Sequence, residues 1–373
     1  MGLHPGALPD FPWDSLTPYI TRASAHPDGI VNLSVGTPVD PTPQVVREAL
    51  AAASDAPGYP TTHGTLALRE AVVAWFARRR GVSGIDPTAV LPTVGSKEFV
   101  ALLPALLGLS AGDIVVHPTA AYPTYDVGAR LAGATPMPAD AVADWEGNLA
   151  VKLIWVNSPS NPTGAVASRE YLADVVAAAR SIGAVVASDE CYAELPWVEQ
   201  YVRDGVASIL DPAVCGGSHQ GLLAVYSLSK QSNLAGYRAA FTAGDPQLIA
   251  GLLETRKHAG MIVPAPVQAA TVAALCDDTH VEVQREVYWA RRNVLSAAIR
   301  EAGFRIDASD AGLYLWATRD ENCWQTLDFL ADNGIVAAPG EFYGSAAANH
   351  VRIALTATDE RIDAAARRLA KAR

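Results

Sequence analysis

The sequence predicts an α/β protein: a large domain on a mainly parallel sheet, plus a smaller α+β domain. Three observations carry this expectation. From Asp113 to Gly244 apolar strand-like runs alternate with helix-like segments, the pattern of a parallel sheet covered by helices on both faces. Asn161, Asp189 and Lys230 each fall at or just past the carboxyl end of a different expected strand, where open α/β sheets bind ligands. After Gly244 the texture turns helical and then becomes strand–strand–helix–strand–helix, which suits a small α+β domain. The expected division is an N-terminal arm and part of the small domain over 1–42, a large domain over 43–278 and a small domain over 279–373.

Composition narrows the function classes. The chain has 373 residues, enough for one large domain and a smaller one, and half of it is hydrophobic. A net charge of −11, spread without long blocks, argues against nucleic acid and anionic membrane surfaces as partners. No apolar run is long enough to span a bilayer. The opening MGLHPGALPDFPWDSL lacks a basic region followed by an apolar core, so a cytoplasmic protein is expected. Cys191, Cys215, Cys276 and Cys323 form no CxxC pair and read as isolated reduced thiols, with no metal site expected.

Taken in order, the first dozen residues are proline-rich and read as a surface arm. Residues 32–43 form a turn-rich loop in which Gly36 permits close approach. Residues 43–53 read as helix, and a loop carrying Tyr59 leads into a second helix over 66–80, stopped at Gly81. Gly95, Ser96 and Lys97 open an apolar helix. Its free N–H groups suit an anion, although a serine there also serves simply as a cap. DIVVHP is a strand, and Tyr122 and Tyr125 precede the next helix. Residues 151–156 are a strand running into a rigid turn with Asn161. Ser168 caps a helix to 182, and AVVASDECY is a strand ending at Asp189, with Tyr192 just beyond. Residues 222–226 and RAAFTAGD are further strands. Helices are expected over 246–257, 266–275 and 280–302, then a hairpin-like FRIDASDAGLYLWATR, a helix over 323–332, a strand in HVRIALT and a helix over 359–372.

Between the last two strands of the large domain lies SLSKQSNLAGYR. Lys230 there can capture an aldehyde as a Schiff base, while the serines and Arg238 offer donors to a dianionic phosphate. Aldehyde capture beside phosphate capture describes pyridoxal 5′-phosphate.

SPSNPTG, DECY, SLSKQSNLAGYR and HVRIAL, in this order and spacing, resemble the fold-type I, class I/II aminotransferases that use pyridoxal phosphate. The resemblance implies that Lys230 holds the cofactor and shuttles a proton. Asp189 would pair with its ring nitrogen, and Asn161 and Tyr192 would bond its ring oxygen. It places Ser96, Lys97, Ser227, Ser229 and Arg238 at the phosphate. Tyr122 is expected to stack on the ring, although Pro118 lies four residues before it rather than the family's two. Arg352 would grip the substrate α-carboxylate, with Gly36 and Asn161 against the substrate. Tyr59 would reach the phosphate of a neighbouring subunit, which implies a homodimer with shared sites.

Stretches outside that shell, including LPDFPWDSL, HPDGIVNLSVGTPVDPTP and APGEFYG, most resemble bacterial succinyldiaminopimelate aminotransferases. The implied reaction exchanges the amino group of N-succinyl-LL-2,6-diaminopimelate with 2-oxoglutarate, within lysine biosynthesis. The motif set does not separate this from an aspartate, aromatic or alanine aminotransferase or a β-lyase. A non-catalytic effector-binding domain is disfavoured by the intact catalytic set. No second cation for a distal carboxylate can be assigned from the residues alone, and Tyr314 and Trp316 read either as pocket or as core.

Overall fold

The computed structural model describes residues 8–9 and 11–372. Most of the expected surface arm, residues 1–7 and Asp10, therefore lies outside the described residues. The strands in chain order are β1 (Val31–Asn32), β2 (Val90–Val94), β3 (Ile114–His117), β4 (Thr135–Pro138), β5 (Val151–Asn157), β6 (Val185–Asp189), β7 (Leu222–Ser227) and β8 (Ala239–Gly244). They continue with β9 (Arg305–Asp307), β10 (Tyr314–Thr318), β11 (Ile335–Val336), β12 (Ala338–Pro339) and β13 (Val351–Ala354).

A seven-stranded sheet runs β2-β8-β7-β6-β5-β3-β4. β8 is antiparallel to both its neighbours and the other pairs are parallel, as the alternation predicts. Two apolar clusters cover its two faces, one containing Trp75, Val186 and Phe241, the other Leu103, Trp155 and Leu223. The sequence pattern missed β2 and β4. Both are edge strands carrying proline, Pro92 in β2 and Pro136 and Pro138 in β4. An edge is where a strand tolerates a residue that cannot donate to the ladder, and the same prolines hide the strand from a pattern reading.

The second sheet is antiparallel, ordered β12-β13-β10-β9, so the expected hairpin of β9 and β10 is present. Its apolar cluster includes Leu315, Leu327 and Ile353, together with Leu16, Val31 and Leu33 from the N-terminal segment. β1 pairs in parallel with β11, which fastens that segment beside the second sheet. Among the described residues no helix is long and apolar enough to cross a membrane.

Candidate active site

The carboxyl ends of the parallel strands share one edge of the large sheet. Asn157 and Asp189 are register partners at the ends of β5 and β6, and Ser227 ends β7. Because β8 runs backwards, its first residue rather than its last lies at this edge. Val94 pairs with Ala239 and Ser227 with Ala240. Arg238, immediately before β8, is thereby delivered to the same crevice as Ser96, which follows β2. A cavity of about 1470 Å³ opens there. It is lined by Gly36, Ser96, Lys97, Tyr122, Asn161, Asp189, Tyr192, Ser227, Ser229, Lys230, Arg238 and Arg352, so the edge gathers every site residue expected from sequence except Tyr59. Tyr59 is fully exposed and does not line this cavity.

Asp189 is buried, accepts a hydrogen bond from the Tyr125 hydroxyl at 3.0 Å and another from the Cys191 N–H at 3.2 Å. Burial pushes its carboxyl above the usual carboxylate range, and those two donors only partly offset this. Among the described residues it has no cationic partner, an expensive state for a buried carboxylate.

Lys230 is half-buried and its amine donates to the Gly36 carbonyl. Gly36 has no room for a side chain: a Cβ there would lie 2.2 Å from the Tyr314 hydroxyl oxygen.

One end of the cavity has the chemistry of an anion cradle.

 Gly95 has φ +76°, and a Cβ on it would lie 2.0 Å from the Arg238 guanidinium, so glycine leaves the cradle open where Arg238 meets the helix Ser96–Leu106. Ser227 and Ser229 are buried there, and their hydroxyls are 2.9 Å apart. Arg238 donates to the Ala235 carbonyl at 2.8 Å and makes no ion pair among the described residues.

Arg352, on β13, is buried. It donates to the Asn161 side-chain oxygen at 2.8 Å and to the Ser34 carbonyl at 2.7 Å, while its Nε has no partner. Its guanidinium carbon lies 3.9 Å from the centre of the Tyr314 ring and 5.0 Å from that of Tyr343. Asn161 is held in turn by its own N–H, which donates to the Asn157 side chain at 2.7 Å. Asn157 also donates to the Asp189 carbonyl at 3.0 Å, so one amide braces the ends of two strands. Tyr192 is buried, with its hydroxyl 3.0 Å from that of Tyr314. Tyr122 lines the cavity half-buried, and burial pushes its hydroxyl up to about 12. Lys97 sits with its amine 5.9 Å from the Phe11 ring centre and 6.0 Å from that of Tyr122, and makes no ion pair among the described residues.

Sequence reasoning missed Asn157, Tyr125 and the aromatic rim formed by Phe11, Trp13, Phe342 and Tyr343. Tyr125, expected just before a helix, lies in the first turn of the helix Thr124–Leu131, and nothing in the order of residues says that its hydroxyl reaches Asp189. Trp316 belongs to the core, stacked on His350 at 4.8 Å, whereas Tyr314 two residues earlier lines the cavity.

These residues fit pyridoxal phosphate: a buried carboxylate without a cation among the described residues, a glycine-opened cradle beside Arg238 and paired serines, and a lysine facing the same cavity. The family described as aminotransferase class I and II matches residues 28–369. The chain belongs to that pyridoxal-phosphate-dependent family. It is 61% identical to a 4-dedimethylamino-4-oxo-anhydrotetracycline transaminase of Streptomyces rimosus, over 97% of this chain and 99% of that protein. It is 58% identical to a probable aminotransferase of Mycobacterium tuberculosis, over 97% of this chain and 85% of that one. A solved probable N-succinyldiaminopimelate aminotransferase of Thermus thermophilus superposes with a TM-score of 0.84 at 28% identity, covering 97% of this chain and 100% of that one.

Proposed function

We propose that this aminotransferase exchanges the amino group of N-succinyl-LL-2,6-diaminopimelate with 2-oxoglutarate, giving N-succinyl-2-amino-6-ketopimelate and glutamate. The observation that carries the reading is that, besides Lys230 and Arg238, which the cofactor would occupy, two more cations face the cavity without carboxylate partners among the described residues: Arg352 in its buried wall and Lys97, expected from sequence at the phosphate, on its exposed rim. A donor with a carboxylate at each end suits both, and 2-oxoglutarate has the same character. The Thermus thermophilus structure described above adds support.

Pyridoxal phosphate, when bound, supplies an aldehyde and an electron-accepting ring. Lys230 would hold that aldehyde through its Nζ, and its free amine would move the proton of the substrate Cα. Asp189 holds the ring nitrogen protonated. Asn161 and Tyr192 hydrogen-bond the ring oxygen, and Tyr122 covers the ring face. Ser227, Ser229, Arg238 and the N–H groups after Gly95 hold the phosphate. Arg352 orients the α-carboxylate. We further propose a homodimer in which the exposed Tyr59 serves the partner's site.

A second reading keeps the chemistry and changes the partner substrate. The Streptomyces rimosus relative is named for a ring-bearing ketone, and Trp13 packs on Phe342 at 5.1 Å along the cavity rim. An aromatic wall of this kind suits a planar body. One experiment separates the two: mix the cofactor-loaded protein with each amino donor and follow the cofactor's visible absorbance, then restore it with each carbonyl acceptor. Conversion by N-succinyl-LL-2,6-diaminopimelate and recovery with 2-oxoglutarate supports the first reading. Recovery only with a polycyclic ketone moves the protein to the second.

A further inference from the structure

Tyr314 has three relations that the reading above leaves unused. Its ring face lies 3.9 Å below the Arg352 guanidinium carbon. Its hydroxyl is 3.0 Å from that of Tyr192. That hydroxyl also fills the space where a Gly36 side chain would go. Tyr314 sits on β10 of the second sheet, and Tyr192 follows β6 of the large sheet. Arg352 is on β13, which pairs with β10. One side chain therefore touches the proposed carboxylate clamp, the loop that receives the Lys230 amine, and a hydroxyl just past the edge of the other sheet.

We propose that Tyr314 is a positioning residue that couples the Arg352 clamp to the Tyr192 hydroxyl across the seam between the two sheets. The proposal rests on the reading that Arg352 holds a substrate carboxylate and that Tyr192 faces the cofactor's ring oxygen. The ring does one job. Packed against the guanidinium, it limits the orientations in which Arg352 presents its donors, which bidentate capture of a carboxylate requires.

The hydroxyl does the other. Burial pushes it up, but Arg352 and Lys230 outweigh burial and hold it below the ordinary tyrosine value. Burial drives Tyr192 well above that value. Each hydroxyl carries one proton, so a Tyr192 that donates to the cofactor's ring oxygen must accept from Tyr314 in their 3.0 Å contact. A hydroxyl that accepts a hydrogen bond donates a stronger one, and Tyr192 thereby becomes a better donor to the cofactor's ring oxygen. The other titratable groups facing this pair are Cys191, Tyr122, Tyr288 and Tyr343.

The two jobs separate by mutation. Tyr314→Phe keeps the ring and removes the hydroxyl; Tyr314→Leu removes both. Two measurements on cofactor-loaded protein need no turnover. The first is the pH midpoint of the bound cofactor's visible absorbance. The second is the Kd for maleate, a non-reacting dicarboxylic acid, read from the same band. Tyr314→Phe should raise the midpoint by about half a pH unit, the order expected from weakening one neutral hydrogen bond, and leave the maleate Kd within about threefold. Tyr314→Leu should show the same rise and weaken maleate binding by roughly tenfold or more. An unmoved midpoint in Tyr314→Phe, or equal maleate affinity in the Phe and Leu variants, overturns the proposal. Neither outcome depends on which amino donor the enzyme uses, so failure of the substrate reading is registered separately by the donor panel.

Discussion

Two cavities of this protein are lined by charge, and they treat it in opposite ways. The second, about 590 Å³, is bounded by Arg78, Arg79, Arg80, Arg169, Arg203 and Arg285. Each of the six has a carboxylate: Asp278, Glu194, Glu190, Asp211, Asp204 and Glu282 respectively. In the first cavity only the rim residue Arg130 is paired, with Asp126; Asp189 has no cation, and Lys230, Arg238 and Arg352 no carboxylate, among the described residues. Burying an unpaired charge costs several kcal/mol, roughly the whole margin of a folded domain. That cost persists only where something outside the chain completes the pair. The arginine-rich cleft, although richer in charge, is a closed network that fastens the helices Leu66–Arg79 and Thr279–Glu301 to the sheet edge. Charge density alone would pick the arginine-rich cleft, while charge left without a partner picks the cavity proposed to hold the cofactor.

The sharpest way to break that contrast is Lys230→Ala. Turnover should fall by roughly 10⁴-fold or more, because in the proposed reading Lys230 both captures the aldehyde and carries the proton. The variant's visible absorbance should no longer match that of a lysine-bound cofactor. An active variant that keeps the band would mean the unpaired amine is incidental.

Asp189→Asn comes next, with turnover lower by roughly 10²–10³-fold, since an amide cannot hold a ring nitrogen protonated. Stability should move the other way in the cofactor-free protein. Asp189 has a folded-state pKa above its unfolded value, so its contribution is favourable at low pH and is lost as pH rises through the folded value. The cofactor-free wild type should therefore lose thermal stability relative to Asp189→Asn as pH climbs from about 4 to 7, a window that starts near the unfolded aspartate pKa. With cofactor bound, the order should invert. A wild type that gains on the variant with rising pH in the absence of cofactor would show that Asp189 already has a partner.

The same contrast explains what could be read before the fold was known. Asn161, Asp189 and Lys230 were legible because each combines a polar residue with an apolar run that ends just before it. Arg238 was legible as chemistry but not as geometry: it reaches the crevice only because β8 runs antiparallel, and direction leaves no trace in composition. β2 and β4 were hidden by their prolines. Asn157, Tyr125 and Tyr314 act through other residues, at separations of up to 122 positions in the chain for the Tyr192–Tyr314 contact. Such partnerships exist only in the folded packing. The aromatic rim was not legible from sequence, because its members come from the N-terminal segment and from the 342–343 region.

In the paired cleft the expected loss is in stability, not catalysis. Arg80 and Glu190 are both fully buried and 3.0 Å apart. Arg80→Met strands the Glu190 carboxylate and should cost about 3–5 kcal/mol, measured by urea denaturation. Turnover per folded molecule at low temperature should stay near wild type. Arg80→Met with Glu190→Gln should recover part of the loss, since no lone charge remains. A single variant as stable as wild type would mean that water already reaches the pair.

The smallest effect belongs to Arg203→Ala. Arg203 contacts Asp204, its immediate neighbour in sequence, at 2.7 Å, with 68% and 43% of the two side chains exposed. Both ions keep most of their hydration, salt screens what attraction remains, and holding the arginine in one rotamer costs entropy. Removing it should leave both the denaturation midpoint and turnover unchanged within error, at low and at high salt. The contrast is then graded rather than binary. Loss follows whether the surviving partner is buried and alone, and Asp204 is neither buried nor deprived of water. A clear destabilisation by Arg203→Ala that vanished in high salt would place this exposed pair inside the buried network and draw the boundary of the cleft one residue further out.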